Sequence, residues 1–322
     1  MMTKKSSDYY GILDGKYILE YEIGDGGTST IYKAKDIFSN KYYAVKLFIE
    51  HSETFEKEIL FNQKILQSGN HCNFFVKYIS SSLNGTLDIN GSKEQKCYIL
   101  YELASKGDLF KYIFFNKTGL KEKNCKVIIF KILKALQALH EIGIIHRDIK
   151  AQNILLDGER FDIKIGDFGF SSFINEEKDK NEIVGTDEYM PPEVFLQLNY
   201  SDVRSDIYST GILIFILLKC LTPFPVDKKT KQRKFYSFFY RKKEEKYWEM
   251  FVKLGVEFSP EFKDLFKKMV AFDPSKRPTI KEILNHDWMK EITNLNEEEF
   301  KKYEEDLISE LKEREENLKK IK

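Results

Sequence analysis

The chain has 322 residues, 42% of them hydrophobic and 32% charged, with a formal net charge of +1. That length and apolar content suffice for one large domain or two lobes with a real core. The near-neutral balance argues against non-specific nucleic-acid binding, which rests on a basic excess, so no nucleic-acid partner is expected.

The opening stretch, MMTKKSSDYYGILDG, is polar and lacks the apolar core of a secretory signal. Residues 1–16 are read as an N-terminal extension. From Tyr17 to Ile49, β-rich runs separated by GDGGTST and SN predict an antiparallel meander. SETFEKEILFNQKIL follows at helical spacing, with Phe55, Ile59 and Leu66 on one face and Ser52 as N-cap. Ser80–Lys96 is polar and contains glycine, which reads as a surface loop, and CYILYEL after it is a short buried strand.

Past ASKGD the pattern turns helical, and VIIFKILKALQALHEIG predicts a helix ending at Gly143. Further helices are expected from Val203 to Lys290. The longest apolar run, Gly211–Leu218, is far short of the roughly 20 residues that a membrane span needs, so it reads as a core helix and no membrane contact is expected. The tail, 291–322, is charged, with Phe300, Tyr303, Leu307, Leu311, Leu318 and Ile321 along one helical face. A solvated helix packed loosely on the domain is the first reading, and a partner-binding or autoregulatory segment the second. Cys72, Cys97, Cys125 and Cys220 are scattered without disulfide or zinc spacing, which fits reduced thiols and a cytoplasmic setting, the nucleus remaining open.

Several stretches carry chemistry. Ile23, Gly24, Asp25, Gly26, Gly27, Thr28, Ser29, Thr30 and Ile31 form a glycine-rich turn between strands, where backbone amides can approach phosphate. It is not a Walker loop, because no GK[ST] follows. Lys46, flanked by Ala44, Val45 and Leu47, sits mid-strand and within reach of that turn, and Glu58 or Glu56 offers a carboxylate to fix it. HRDIKAQN supplies Asp148, Lys150 and Asn153, and GDFG supplies Asp167. IVGTDEYMPPE, DIYSTG and DPSKRPT complete the series.

In that order, these stretches resemble the eukaryotic protein kinase family, and specifically a Ser/Thr kinase, over Tyr17–Lys290. The resemblance implies an α+β, two-lobed fold: a β-rich N-lobe (17–103) with one main helix, then a hinge and a mainly helical C-lobe (104–290). It implies ATP and Mg²⁺ as cofactors and proteins with Ser/Thr hydroxyls as substrates. Asp148 would be the base, Asn153 and Asp167 the metal ligands, and Lys150 the neutraliser of γ-phosphate charge. Lys46, held by Glu58, would pair with the α- and β-phosphates. The adenine would meet backbone groups of Glu102 and Ala104, with Tyr101 limiting the pocket and Asp108 near ribose or substrate. Thr186 belongs to the Ser/Thr pattern of the activation segment, and Glu193 and Arg277 are expected as a buried ion pair. His146, Phe168 and Asp206 would serve structure.

Ser29 replaces the third glycine of the loop, and Asn62 occupies a position where the family packs an apolar residue. Glu182 stands where many kinases carry a phosphorylated Ser or Thr, which suggests that its carboxylate pairs with Arg147. The rival function is a pseudokinase-like scaffold. Loss of the lysine or of either aspartate would mark one, and none is lost.

Overall fold

The computed structural model describes residues 9–174, 176, 183–198, 202–227, 235–241 and 243–321. The chain divides into two compact units, one holding residues up to Ser105 plus Asp167–Gly169, the other Lys106–Gly166 and the chain from Phe170 onward.

Among the described residues, the first unit has strands β1 (Gly11–Leu13), β2 (Tyr17–Asp25), β3 (Ser29–Asp36), β4 (Tyr42–Phe48), β5 (Tyr78–Ile89) and β6 (Ser92–Glu102). Helix α1 (Glu53–Gln67) lies between β4 and β5. The strands pair antiparallel in the order β1-β2-β3-β4-β6-β5, and β1 closes the barrel by pairing with β5 as well as β2. Side-chain alternation turns Leu13, Leu19, Ala34, Val45, Leu87 and Leu100 inward to a common core. The expected meander is present as β2, β3 and β4. Within the segment read as an N-terminal extension, β1 is part of the barrel, with Leu13 opposite Leu87.

Ser80–Lys96, expected as a surface loop, is instead a long hairpin of β5 and β6. Asn90 and Gly91 take φ of 54° and 89° at its tip, the two-residue turn whose twist matches that of the flanking strands. Polarity hid it because β6 is exposed from Ser92 to Gln95 and burial there begins only at Cys97, while only Gly85 and Leu87 of β5 are buried. Helix α1 is capped as expected, the Ser52 hydroxyl accepting from the Phe55 amide at 3.4 Å. Its buried stripe is Phe55, Glu58, Phe61, Asn62 and Ile65, not Phe55, Ile59 and Leu66, and Leu66 is exposed. Two polar residues share the buried face, so apolar spacing alone mis-phased the helix.

In the second unit, β7 (Gly107–Asp108), β9 (Ile154–Asp157) and β10 (Asp162–Ile165) form one small sheet, and β8 (Ile144–Ile145) pairs with β11 (Ser172–Phe173). Its described helices begin with α2 (Leu109–Phe114), α3 (Glu122–Glu141), α4 (Pro192–Phe195), α5 (Arg204–Lys219) and α6 (Tyr236–Tyr240). They continue with α7 (Glu244–Lys253), α8 (Pro260–Met269), α9 (Ile280–Leu284), α10 (Asp287–Thr293) and α11 (Glu297–Ile321). The helix predicted to end at Gly143 is α3. The Gly211–Leu218 run lies buried within α5. Among the described residues, no helix is long and apolar enough to cross a membrane.

The tail helix α11 is not loosely packed. It lies against α2 and α3, with Leu307, Leu311, Glu310 and Arg314 buried. The Arg314 guanidinium donates to the Tyr112, Thr118 and Gly119 carbonyl oxygens at 3.0, 2.9 and 2.5 Å, and to Glu310 Oε1 at 2.9 Å. Glu310 Oε2 in turn accepts from Asn124 Nδ2 at 2.6 Å. The Ile321 side chain lies outside the described residues. Cys97 and Cys125 are buried free thiols and Cys220 a half-buried one, and burial pushes all three up from the usual thiol range. The Cys72 side chain is outside the described set.

Candidate active site

The first unit concentrates charge around one lysine. Strand β4 places Lys46 opposite Ile31 of β3 and Ile99 of β6, among apolar neighbours that exclude water. Its ammonium donates to Glu58 Oε1 and Oε2 at 2.9 and 2.8 Å and to Asp167 Oδ1 at 2.8 Å. Burial opposes the charge on Lys46, but Asp167 and Glu58 outweigh it and its pKa is raised. The carboxylate that meets Lys46 is thus Glu58, buried on α1; Glu56 is exposed and bonds His51 Nε2 at 2.9 Å.

Asp167 holds a positive φ of 63°, a region that aspartate tolerates better than most residues. The next residue, Phe168, is buried with its ring edge-on to Phe75 at 5.8 Å.

The glycine-rich turn is the β2–β3 connection. Gly24 faces Ile31, Asp25 faces Thr30, and the Gly26 amide donates to the Ser29 carbonyl at 2.9 Å. A Cβ at Gly26 would meet only the Ser29 carbonyl oxygen, at 3.5 Å, and one at Gly27 would meet nothing within 4 Å. The fold itself does not demand glycine at either place, so bare backbone there suits close approach by something outside the chain. Thr28 accepts from the Ile49 amide at 3.1 Å through its carbonyl, Ser29 is buried, and Ile23 is half-buried.

Ala44 pairs with Tyr101 across β4 and β6. The Glu102 amide donates to the Lys77 carbonyl and its Oε1 accepts from the Lys77 amide, at 2.9 and 2.8 Å. That amide is therefore already engaged, which narrows the expected adenine contact to the other backbone groups of Glu102 and Ala104. Ala104 is buried.

The second unit gathers the other expected residues. Asp148 is buried, its Oδ1 accepting from the Thr186 amide and hydroxyl at 3.0 and 2.9 Å. Its Oδ2 meets Lys150 Nζ at 2.6 Å and Asn153 Nδ2 at 3.1 Å. Lys150 also donates to the Thr186 hydroxyl at 2.9 Å. Asn153 Nδ2 donates again to the Asp148 carbonyl at 2.8 Å, which orients the amide and leaves Oδ1 as its acceptor. An amide oxygen and the Asp167 carboxylate are hard donors of the kind Mg²⁺ prefers. Among the described residues, no cluster of three or more His, Cys, Asp or Glu side chains forms a ready-made metal cage.

His146 ties this loop to the chain before Asp167. The Asp148 amide donates to His146 Nδ1 at 3.2 Å, so Nε2 carries the proton that meets the Gly166 carbonyl at 3.1 Å. Asp206 accepts from the His146 and Arg147 amides at 3.0 and 2.8 Å and from His140 Nε2 at 2.8 Å. Sequence reading missed His140, which is 66 positions from its partner and has no local signature.

Gly185 has φ of 100°, and a Cβ there would come within 2.8 Å of the Arg147 carbonyl oxygen, so the Gly185–Thr186 pair must begin with glycine. Arg147 Nε donates to the Phe170 carbonyl at 2.5 Å, while Glu182, its expected partner, lies outside the described residues. Asp108, expected near ribose or substrate, caps α2, accepting from the Lys111 amide at 3.0 Å and pairing with its ammonium at 3.0 Å. Glu193 and Arg277 form the expected buried pair, with two parallel contacts of 2.6 Å.

The sequence profile described as "Protein kinase domain" matches residues 17–289. A probable serine/threonine-protein kinase, fhkA, from Dictyostelium discoideum is 31% identical over 310 residues, covering 85% of this chain and 49% of that protein. Calcium-dependent protein kinase 29 from Arabidopsis thaliana is 32% identical over 289 residues, covering 86% and 49%. Serine/threonine-protein kinase kin-29 from Caenorhabditis elegans is 31% identical over 281 residues, covering 85% and 31%. The chain thus spans half or less of the length of these relatives. The match across both the barrel unit and the helical unit leaves one conclusion: the chain belongs to the protein kinase family.

Proposed function

We propose that this chain is an ATP-dependent protein kinase that transfers the γ-phosphate to Ser or Thr hydroxyls of protein substrates. The observation that carries the reading is the buried Lys46 ammonium held at 2.8–2.9 Å by both Glu58 and Asp167. A lysine so restrained is a pre-set cation for phosphate oxygens, and electrostatic positioning is most of what phosphoryl transfer asks of a protein. Asp148 accepts the hydroxyl proton of the substrate, and Thr186 and Lys150 fix its carboxylate beforehand. Lys150 then neutralises charge that develops on the transferred group. Asn153 and Asp167 would each offer an oxygen to Mg²⁺, which would offset the negative charge of the phosphates. The bare backbone at Gly26 and Gly27 admits the phosphates, and Ala44, Tyr101, Glu102 and Ala104 take the base. Buried free thiols suit a reducing compartment such as the cytosol.

The test is transfer of radiolabelled phosphate from MgATP to a generic protein substrate by the full chain and by its Asp148→Asn and Lys46→Met variants. Wild type is expected to label the substrate, with losses of at least about 10²-fold in Asp148→Asn. Labelling that survives Asp148→Asn would remove the proposed base. Nucleotide binding by wild type without any transfer would point to the scaffold reading instead.

A further inference from the structure

Asn62 and Tyr101 carry polar atoms into a buried place where the kinase pattern calls for apolar packing. Asn62 lies one helical turn after Glu58 on α1 and is 2% exposed; Tyr101, in β6, is 8% exposed. Asn62 Nδ2 donates to the Glu58 carbonyl oxygen at 2.7 Å and to the Tyr101 hydroxyl oxygen at 2.9 Å. The Tyr101 hydroxyl donates to Glu58 Oε1 at 2.7 Å. The direction of this relay is fixed: both amide hydrogens are used, and the single phenolic hydrogen goes to the carboxylate.

One ammonium cannot by itself set the torsion of a carboxylate that it approaches from one side. Lys46 reaches both Glu58 oxygens from β4, and Tyr101 adds a second direction from β6. Asn62, bonded to the carbonyl of Glu58 itself, refers that hydroxyl to the frame of α1. Displacing α1 would strand a buried amide, a hydroxyl and a carboxylate together, and each such loss is costly away from water.

Building on the kinase reading, we propose that Asn62 and Tyr101 are a positioning pair that fixes Glu58, and through it Lys46, in the arrangement phosphoryl transfer requires. Hydrogen bonds here do what apolar packing does at this position elsewhere in the family.

Tyr101→Phe, Asn62→Leu and the double variant test this in the full chain. Three quantities are measured: kcat and KM for ATP, the thermal midpoint, and hydrogen exchange of the α1 amides without nucleotide. Tyr101→Phe keeps the ring that bounds the pocket, so KM for ATP should stay within about twofold while kcat falls roughly tenfold, the factor one hydrogen bond to a charged group carries. Exchange in α1 should quicken. Asn62→Leu should lower kcat less, because the phenol still reaches Glu58. In the double variant both partners are apolar, so the thermal midpoint should recover relative to Tyr101→Phe while kcat does not. Recovery of kcat together with the midpoint would reduce the pair to packing and overturn the proposal. Wild-type kcat and α1 exchange in Tyr101→Phe would do the same. If wild type itself transfers no phosphate, the kinase reading fails separately. The α1 exchange then judges the pair alone, and unchanged exchange in Tyr101→Phe overturns it.

Discussion

Asp206 keeps a charge in a place from which water is excluded, and three donors make that tolerable. Burial by itself would raise its pKa, but the hydrogen bond from His140 and the amides of His146 and Arg147 outweigh it, and the pKa is lowered. A lowered folded value contributes stability above the unfolded value of roughly 3.9 and loses it as pH falls through the lower folded value. Asp206→Asn should therefore unfold about 3 kcal/mol more easily in urea at neutral pH, the size expected for breaking a buried charged contact. Its deficit against wild type should be constant above about pH 5 and shrink below about pH 4. Lys46→Met poses the complementary case, leaving the buried Glu58 carboxylate without its cation. A loss of about 3 kcal/mol is expected in urea unfolding, and adding Glu58→Gln should restore stability but not phosphate transfer. The residues of these motifs were legible because their chemistry sits in short contiguous stretches, as in HRDIKAQN. The Asn62–Tyr101 contact was not, since its members are 39 positions apart and a polar residue on a buried face leaves no periodic trace.

Strand β1 shows how a short element governs a larger one. Its pairing with both β2 and β5 leaves neither strand with an open edge, and exposed edges are templates for association. A chain beginning at residue 17 should melt earlier and scatter light in proportion to its concentration. If it stayed monomeric with an unchanged midpoint, β1 would be an ornament on the barrel. The meander of β2, β3 and β4 was legible because apolar residues alternate within it and glycine or polar turns bound it. The β5–β6 hairpin was not, although Asn90–Gly91 is a strong turn signal, because β6 is exposed from Ser92 to Gln95 and only Gly85 and Leu87 of β5 are buried, too few for alternation to show. Helix α1 was legible as a helix but not in its orientation, because Glu58 and Asn62, held by hydrogen bonds, share the buried face with Phe55, Phe61 and Ile65.

At the scale of the whole molecule, the change from a β-rich to a helical half could be read from sequence pattern, whereas the role of the C-terminal helix could not. An amphipathic stripe foretells a buried face but not what buries it. Arg314 supplies the answer, meeting the Tyr112 carbonyl in α2, the Thr118 and Gly119 carbonyls between α2 and α3, and the Glu310 carboxylate. Arg314→Ala should cost about 3 kcal/mol in the unfolding of the helical unit. Arg314→Lys should recover little of it, because an ammonium cannot span the same fan of acceptors; full recovery would show that only the charge mattered. Translation proceeds from the amino end, so Tyr112, Thr118 and Gly119 leave the ribosome well before the arginine that binds them. Until residue 314 has been made, the Thr118 and Gly119 carbonyl groups can only be hydrated, so this contact is among the last that the helical unit can close.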